Sequence, residues 1–389
     1  MGKPKILVTY IESGMGHIMS AKSISDSLKS RYGDKVLIDD CYIMDEDKNK
    51  TLINFEKFLI HQTKQTNKVK GYGNFVFFVL ETMGKQKFLR AVHNSVFKKQ
   101  LAVTMEAIRR RAPDVVVSTH YFITLAANEL KRRFMPDLTV VTYDPDNNVH
   151  VWWDNRSEIF ITNNEKAKAE AIERGFKQDS VKQVFFTARE AIVNANESPD
   201  FYKDKYGIAR NRFTVIIADG VYAQGKSAKV CKALLKTDKE MNIIYIAGKN
   251  KRVFNKFSKL AKSVKPNINL YVFEFVPEVY ELYGASDVFV TKAGPNAIMD
   301  CLFMGTPIIV DYFPHPIEKA TCDLFTNYYG FGEKILNVKE IVERLEEFSC
   351  NSTKLLEYRN NIKMIDKNKN GSIEIADIIM KKLKEEKKI

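Results

Sequence analysis

Eleven short apolar runs recur along this 389-residue chain, separated by stretches with helical spacing. Six come first: "KILVTY" (5–10), "VLID" (36–39), "DVVVSTH" (114–120), "LTVVTYD" (138–144), "EIFIT" (158–162) and "VKQVFF" (181–186). Five follow: "FTVIIADG" (213–220), "MNIIYIAG" (241–248), "NLYVFEF" (269–275), "DVFVTKAG" (287–294) and "TPIIVD" (306–311). The runs are continuously apolar and do not alternate, which is the mark of parallel strands covered by helices on both faces. Two series of such strands predict an α/β protein of two doubly wound domains, joined by the polar stretch "REAIVNANESPD" (189–200). A hydrophobic content of 45% supplies a core for each.

Other classes fit less well. No N-terminal stretch reads as a secretory leader, and no apolar run approaches the roughly 20 residues of a membrane span, so a soluble, cytoplasmic chain is expected. The five cysteines (Cys41, Cys231, Cys301, Cys322 and Cys350) are odd in number and scattered, which suggests neither a disulfide framework nor a zinc site.

In doubly wound sheets ligands bind at the carboxyl ends of the strands. Three glycine-bearing turns are expected there: "SGMGH" (13–17), "ADGVYAQGK" (218–226) and "TKAGPNAIMD" (291–300). In the first, Gly14 and Gly16 permit a tight turn with positive φ, and Ile18, Ala21, Ile24 and Leu28 then recur at helical spacing. His17 is thereby set at a helix N-terminus, where the positive end of the dipole disfavours imidazolium and leaves a neutral proton acceptor. A histidine that merely caps the turn is the plainer alternative. In the third turn Gly294 ends a strand and Pro295 occupies the first helical position, where its missing N–H costs nothing. The remaining free N–H groups suit a diphosphate.

The formal net charge is +13. Residues 57–111 carry twelve Lys or Arg against two acids, a balance of +10, together with seven aromatics and the run "FVFFVL". The charge excess is assigned to this segment. Basic residues beside aromatics suggest an anionic surface, either lipid headgroups or nucleic acid, with Lys68, Lys70, Phe77, Phe78, Lys85 and Lys87 as the docking residues. An amphipathic helix with a solvated basic face is the other reading.

Two patterns resemble metal sites. "DKNKNGSIEIAD" (366–377) sets Asp366, Asn368, Asn370, Gly371, Ser372, Glu374 and Asp377 at calcium-loop spacing, but position twelve is Asp and no glycine-bearing partner loop exists, so calcium is not expected. "DPD" (144–146) is too short to specify a metal.

The ordered set "GMGHIMSAKSI", "PDVVVSTH", "VTYD" followed by "HVWW", "FFTAR" and "VTKAGPNAIMDCLFMGTPIIV" resembles the diacylglycerol glycosyltransferases, over about residues 5–350. That family includes the monogalactosyldiacylglycerol synthases and processive diacylglycerol glucosyltransferases, and is related to the peptidoglycan N-acetylglucosaminyltransferase. The resemblance implies a GT-B fold of two facing Rossmann-like domains with a cleft between them. Residues 1–190 would bind the acceptor, 191–362 the nucleotide sugar, and 363–389 would be a helical segment returning to the first domain. It further implies an inverting hexosyltransferase with a UDP-sugar as substrate, no cofactor, no catalytic metal, and a peripheral place on the inner membrane face.

By the same resemblance His17 is the base and Asp144 a second catalytic residue. Gly14, Gly16, His120, His150 and Arg189 lie on the acceptor side. Gly220, Phe275, Val276, Gly294, Pro295, Asn296, Asp300 and Glu318 hold the donor, with Asp300 where the family has a ribose-binding Glu. The interval from Asp144 to His150 is two residues longer than in the family. Pro316 and Ala320 replace the Gln and Asn that contact donor hydroxyls, leaving Glu318 and His315 as the polar groups of that loop. Two other readings stay open: transfer to a modified nucleic-acid base, and a non-catalytic sugar-nucleotide sensor on the same scaffold.

Overall fold

The computed structural model describes the chain except residues 1, 12–14, 69–77, 79–85, 222, 224, 314–315, 351 and 367–368, and except the side chains of 15, 45–47, 63–68, 86–87 and 89. It divides into two compact units, Met1–Glu190 with Lys369–Ile389, and Ala191–Asn368.

The first unit holds β1 (Lys5–Tyr10), β2 (Leu37–Tyr42), β3 (Val115–Ser118), β4 (Thr139–Tyr143), β5 (Ile159–Thr162) and β6 (Val181–Gln183), all parallel, in the order β2-β1-β3-β4-β5-β6. Around them lie α1 (Met15–Tyr32), α2 (Lys50–Lys68), α3 (Gln86–Val96), α4 (Lys98–Arg110) and α5 (Tyr121–Arg133). Successive strand residues face opposite sides, so a run such as Ile6-Leu7-Val8 feeds two cores. Leu7, Val116 and Val140 pack with Met105, Ile108, Phe122 and Ile123 on one face. Ile6, Val8, Val117 and Val141 pack with Ala21, Ile24 and Leu28 of α1 on the other. This two-sided burial is why the runs are apolar throughout.

The second unit holds β7 (Phe213–Ala218), β8 (Met241–Ile246), β9 (Ile268–Phe273), β10 (Val288–Lys292), β11 (Ile308–Tyr312) and β12 (Gly332–Lys334), again all parallel, in the order β12-β11-β10-β7-β8-β9. Its helices include α6 (Ser227–Leu234), α7 (Lys251–Leu260), α8 (Pro295–Phe303), α9 (Pro316–Asp323) and α10 (Val338–Phe348). Val215, Ile217, Ile243, Tyr245 and Val290 meet Val230, Leu234, Phe257, Ile341 and Leu345 on one face. Strand β12 carries no apolar run, which is why the sequence pattern misses it.

The last helix, α11 (Gly371–Glu385), belongs to the first unit. Ile375, Ile379 and Leu383 complete the core on the α1 side. Asn370 caps α11 by accepting from Ser372 N, and its amide also grips both the N–H and the carbonyl of Ala188. A Cβ on Gly371 would stand 1.9 Å from the Phe185 carbonyl oxygen, so only glycine lets the helix start approach this closely. The calcium-like residues here have structural partners: Glu374 accepts from Phe185 N, and Asp377 accepts the Tyr32 hydroxyl at 2.6 Å.

One backbone expectation is corrected. Gly16 does not take a positive φ; it is the second residue of α1, in right-handed helical conformation, because the helix already begins at Met15. Gly14 lies outside the described residues.

Candidate active site

In the first unit the chain leaves β1 toward β2 on one side while β3 lies on the other, so the topological switch falls between β1 and β3. His17, in the first turn of α1, meets Thr119 from the loop after β3 at this point. Its Nδ1 lies 2.5 Å from the Thr119 carbonyl oxygen, and the Thr119 hydroxyl donates back to the His17 carbonyl at 2.9 Å. A carbonyl can only accept, so Nδ1 carries the proton in the neutral ring. Nε2 is then left with its lone pair as the basic atom.

His120 follows directly, as the N-cap of α5. Its Nδ1 accepts from Phe122 N at 3.2 Å, which assigns the opposite tautomer. The ring is 1% exposed, and burial, then the neighbouring His17 and His150, hold its pKa well below the ordinary value. It therefore adds no charge beside His17, whose ring centroid is 5.2 Å away. The aromatic series continues through Tyr121 to His150, Trp152 and Trp153.

Asp144, the residue after β4, is fully buried. One carboxylate oxygen accepts from Asp146 N at 3.0 Å. Burial, followed by the charge of Asp146, pushes its pKa well above the ordinary carboxyl value. Asn163 and Asn164 hold the loop after it, by donating to the carbonyls of Pro145, Asp146 and Asn147. His150 is buried on this loop, with Nε2 3.9 Å from Asp146. Arg189 is half-buried, one residue before the first unit ends.

The second unit has its own switch point, between β7 and β10. Gly220, with φ of +69°, turns the chain after β7. After β10, Gly294 is the N-cap of α8 with Pro295 at its first position, and no side chain caps the helix. Space beside Gly294 is open: an added Cβ would meet nothing within 4 Å. The half-buried Asn296 and Asp300 lie on the first turns of α8. Phe275 and Val276 follow β9 at the same edge of the sheet, Phe275 exposed under the Lys249 ammonium at 5.7 Å from its ring centroid.

Three residues here were not singled out from the sequence. Lys292, at the end of β10, pairs with Glu318 of α9 at 2.7 Å. Asp219, the last residue before Gly220, accepts from Lys292 N and Ser227 N, tying β10 to the start of α6. Asp311 is the bulged residue of β11, since Thr291 pairs with Val310 and Lys292 with Tyr312. Among the described residues neither of its carboxylate oxygens has a hydrogen-bond partner. Burial, then the charge of Asp219, pushes its pKa up to about 8. The only signal for these residues in sequence is their place one to three positions before a glycine or proline.

Of the docking residues, Phe78 is 66% exposed. Lys70, Phe77 and Lys85, and the side chains of Lys68 and Lys87, lie outside the described residues. Phe58 and Phe88 are also exposed, whereas Phe97 packs against the core beside Phe55. No described helix is long and apolar enough to cross a membrane. No group of three or more His, Cys, Asp or Glu suited to a metal ion occurs among the described residues.

Known proteins share this layout. Residues 17–184 match the family model of monogalactosyldiacylglycerol (MGDG) synthase, and residues 225–321 that of the glycosyltransferase family 28 C-terminal domain. MurG of Acinetobacter baumannii superimposes with a TM-score of 0.59 at 13% identity, over 97% of this chain and 99% of its own. HepE of Anabaena, solved with UDP-glucose, gives 0.58 at 11%, over 98% and 99%. The fold is GT-B, and the chain is a glycosyltransferase. Within that class it is similar to the diacylglycerol glycosyltransferases along nearly its whole length. The processive diacylglycerol beta-glucosyltransferase of Bacillus pumilus (strain SAFR-032) is 24% identical over 378 residues, covering 96% of this chain and 94% of that one.

Proposed function

We propose that the protein is an inverting glycosyltransferase that moves a hexose from a UDP-sugar to a diacylglycerol-type acceptor, working peripherally at the inner face of a membrane. The observation that carries this reading is the tautomer of His17. With Nδ1–H donated to the Thr119 carbonyl, Nε2 is a proton acceptor held at a topological switch point. The acceptor hydroxyl attacks the anomeric carbon, its proton passes to His17 Nε2, and the bond from that carbon to the diphosphate breaks. Thr119 stabilises the imidazolium that forms, as a carbonyl facing its N–H.

The leaving UDP is received by the second unit. The uncapped N–H groups and dipole of α8 take up the growing charge on the diphosphate. Asp300 accepts from a ribose hydroxyl, and the backbone at Phe275 and Val276 meets the base. Glu318, oriented by Lys292, contacts the donor sugar in place of the family's amides. Lipid as acceptor is supported by the match to MGDG synthase and by the diacylglycerol enzyme of Bacillus pumilus.

The test is direct. The protein is incubated with a panel of UDP-sugars and vesicles containing diacylglycerol, and products are read by mass spectrometry. A hexosyl-diacylglycerol from one of the donors supports the proposal; transfer to hydroxymethylated DNA and not to lipid, or no transfer to either, refutes it.

A further inference from the structure

The charge excess does not belong to residues 57–111 alone. Residues 226–265 carry twelve Lys or Arg against Asp238 and Glu240, the same balance of +10 in 40 residues. In the fold six of them lie along two helices of the second unit. Lys229, Lys232 and Lys236 recur at three- and four-residue spacing along and just beyond α6, and Arg252, Lys256 and Lys259 do so along α7. All six are exposed and form no ion pair among the described residues.

The two stripes lie side by side, since Val230 and Leu234 of α6 and Phe257 of α7 pack in one core on the same side of the sheet. In keeping with this, the ammonium of Lys232 lowers the pKa of Lys256 from its ordinary value. Most acids nearby are already engaged, the exposed Glu340 of α10 excepted. Asp238 pairs with Lys265 at 2.7 Å, and Glu240 stands 3.9 Å from Arg212. On the adjoining α10, Glu343 pairs with Lys339, Glu347 with Arg344, and Glu346 accepts the Thr237 hydroxyl. Packing two basic stripes together without acids between them opposes folding, so the arrangement is explained by a polyanion outside the chain.

We infer that the α6–α7 face of the second unit is an electrostatic docking surface for an anionic lipid bilayer. The inference rests on the reading of the acceptor as a membrane lipid. The chemistry of the face favours lipid over nucleic acid. Five of the six cations of the two stripes are lysines, compact charges without the planar fork that Arg brings to nucleic acids. No large apolar or aromatic side chain is exposed between residues 226 and 265 among those described, so nothing there can stack on bases. Such a face adheres to headgroups without inserting.

The experiment compares the full chain with a variant carrying Lys229→Gln, Lys232→Gln, Arg252→Gln and Lys256→Gln. Cosedimentation is measured with vesicles of phosphatidylcholine alone and with about a third phosphatidylglycerol, in about 0.1 M salt. On acidic vesicles the variant should bind several hundredfold more weakly, roughly fivefold for each of the four charges removed. Transfer to diacylglycerol in neutral detergent micelles should be unchanged, since none of the four residues belongs to the proposed site. Wild-type affinity of the variant for acidic vesicles overturns the inference. So does wild-type binding to duplex DNA that is tighter than to acidic vesicles and lost in the variant. If the wild type transfers nothing to diacylglycerol in micelles, the catalytic reading fails separately, while vesicle binding still decides the docking face.

Discussion

His17 illustrates how little of a residue's chemistry lies in its identity. Its basic atom is chosen by the Thr119 carbonyl, a group 102 positions away in the chain. Replacing His17 by Ala should lower turnover by about 10²-fold or more, with UDP affinity changed by no more than a few-fold. Parallel turnover measurements and calorimetry with UDP check this; an equal loss of UDP binding removes the assignment as base. Asp311 gives a second prediction at this scale. Its folded-state pKa of about 8 lies above the ordinary 3.8, so between those values the folded chain binds more protons than the unfolded one. Its contribution to stability is therefore present at acid pH and is lost as pH rises through that window. Asp311→Asn should raise the thermal midpoint, with the gap to wild type widening from about pH 5 to about pH 8 and level above it. A gap independent of pH across that range contradicts the assignment.

Among the elements, α8 and α11 depend on their first turns. The start of α8 has no side-chain cap, and Asp300 lies about one turn further on. Deleting that carboxylate in Asp300→Ala should weaken UDP binding by roughly 1 to 3 kcal/mol, as calorimetry would show. Unchanged affinity means that Asp300 has not taken the ribose role. At α11 the opposite arrangement holds, because Asn370 satisfies the helix and the 188 backbone at once. Asn370→Ala should cost about 1 to 3 kcal/mol in denaturant titration, more than an isolated cap, because it also strands buried backbone groups of Ala188. A loss below about 0.5 kcal/mol shows that water replaces the side chain.

At the scale of the whole molecule, the chain enters its second unit at Ala191 and returns to the first at Lys369. The first core is therefore incomplete until the last 21 residues, 369–389, are in place. Ile375, Ile379, Met380 and Leu383 are each at most 3% exposed there. Ending the chain at 368 should abolish the cooperative unfolding transition of the first unit, while the contiguous Ala191–Asn368 unit keeps its own. Calorimetry of the truncated chain, with limited proteolysis to identify the surviving fragment, reads this out. Two intact transitions would show that α11 is dispensable.

The α/β class, the doubly wound sheets and the glycine turns after β7 and β10 were legible because they follow from local pattern. Parallel strands covered on both faces are apolar throughout, as Ile6-Leu7-Val8 and Val215-Ile216-Ile217 are, and Pro is favoured at the first position of a helix, as Pro295 after Gly294 is. Local pattern also misled, at Gly16, where two closely spaced glycines suggest a turn but the helix has already begun. Strand β12 escaped notice because three residues carry no period. What only the tertiary structure decided are relations across distance: Thr119 against His17, Lys292 against Glu318, Asp311 beside Asp219, and Lys232 against Lys256. The cause is common to all four. A side chain's proton, charge or lone pair is set by whatever lies within a few ångströms, and those neighbours come from strands and helices whose order in space, β2-β1-β3 or β11-β10-β7, is not their order in sequence.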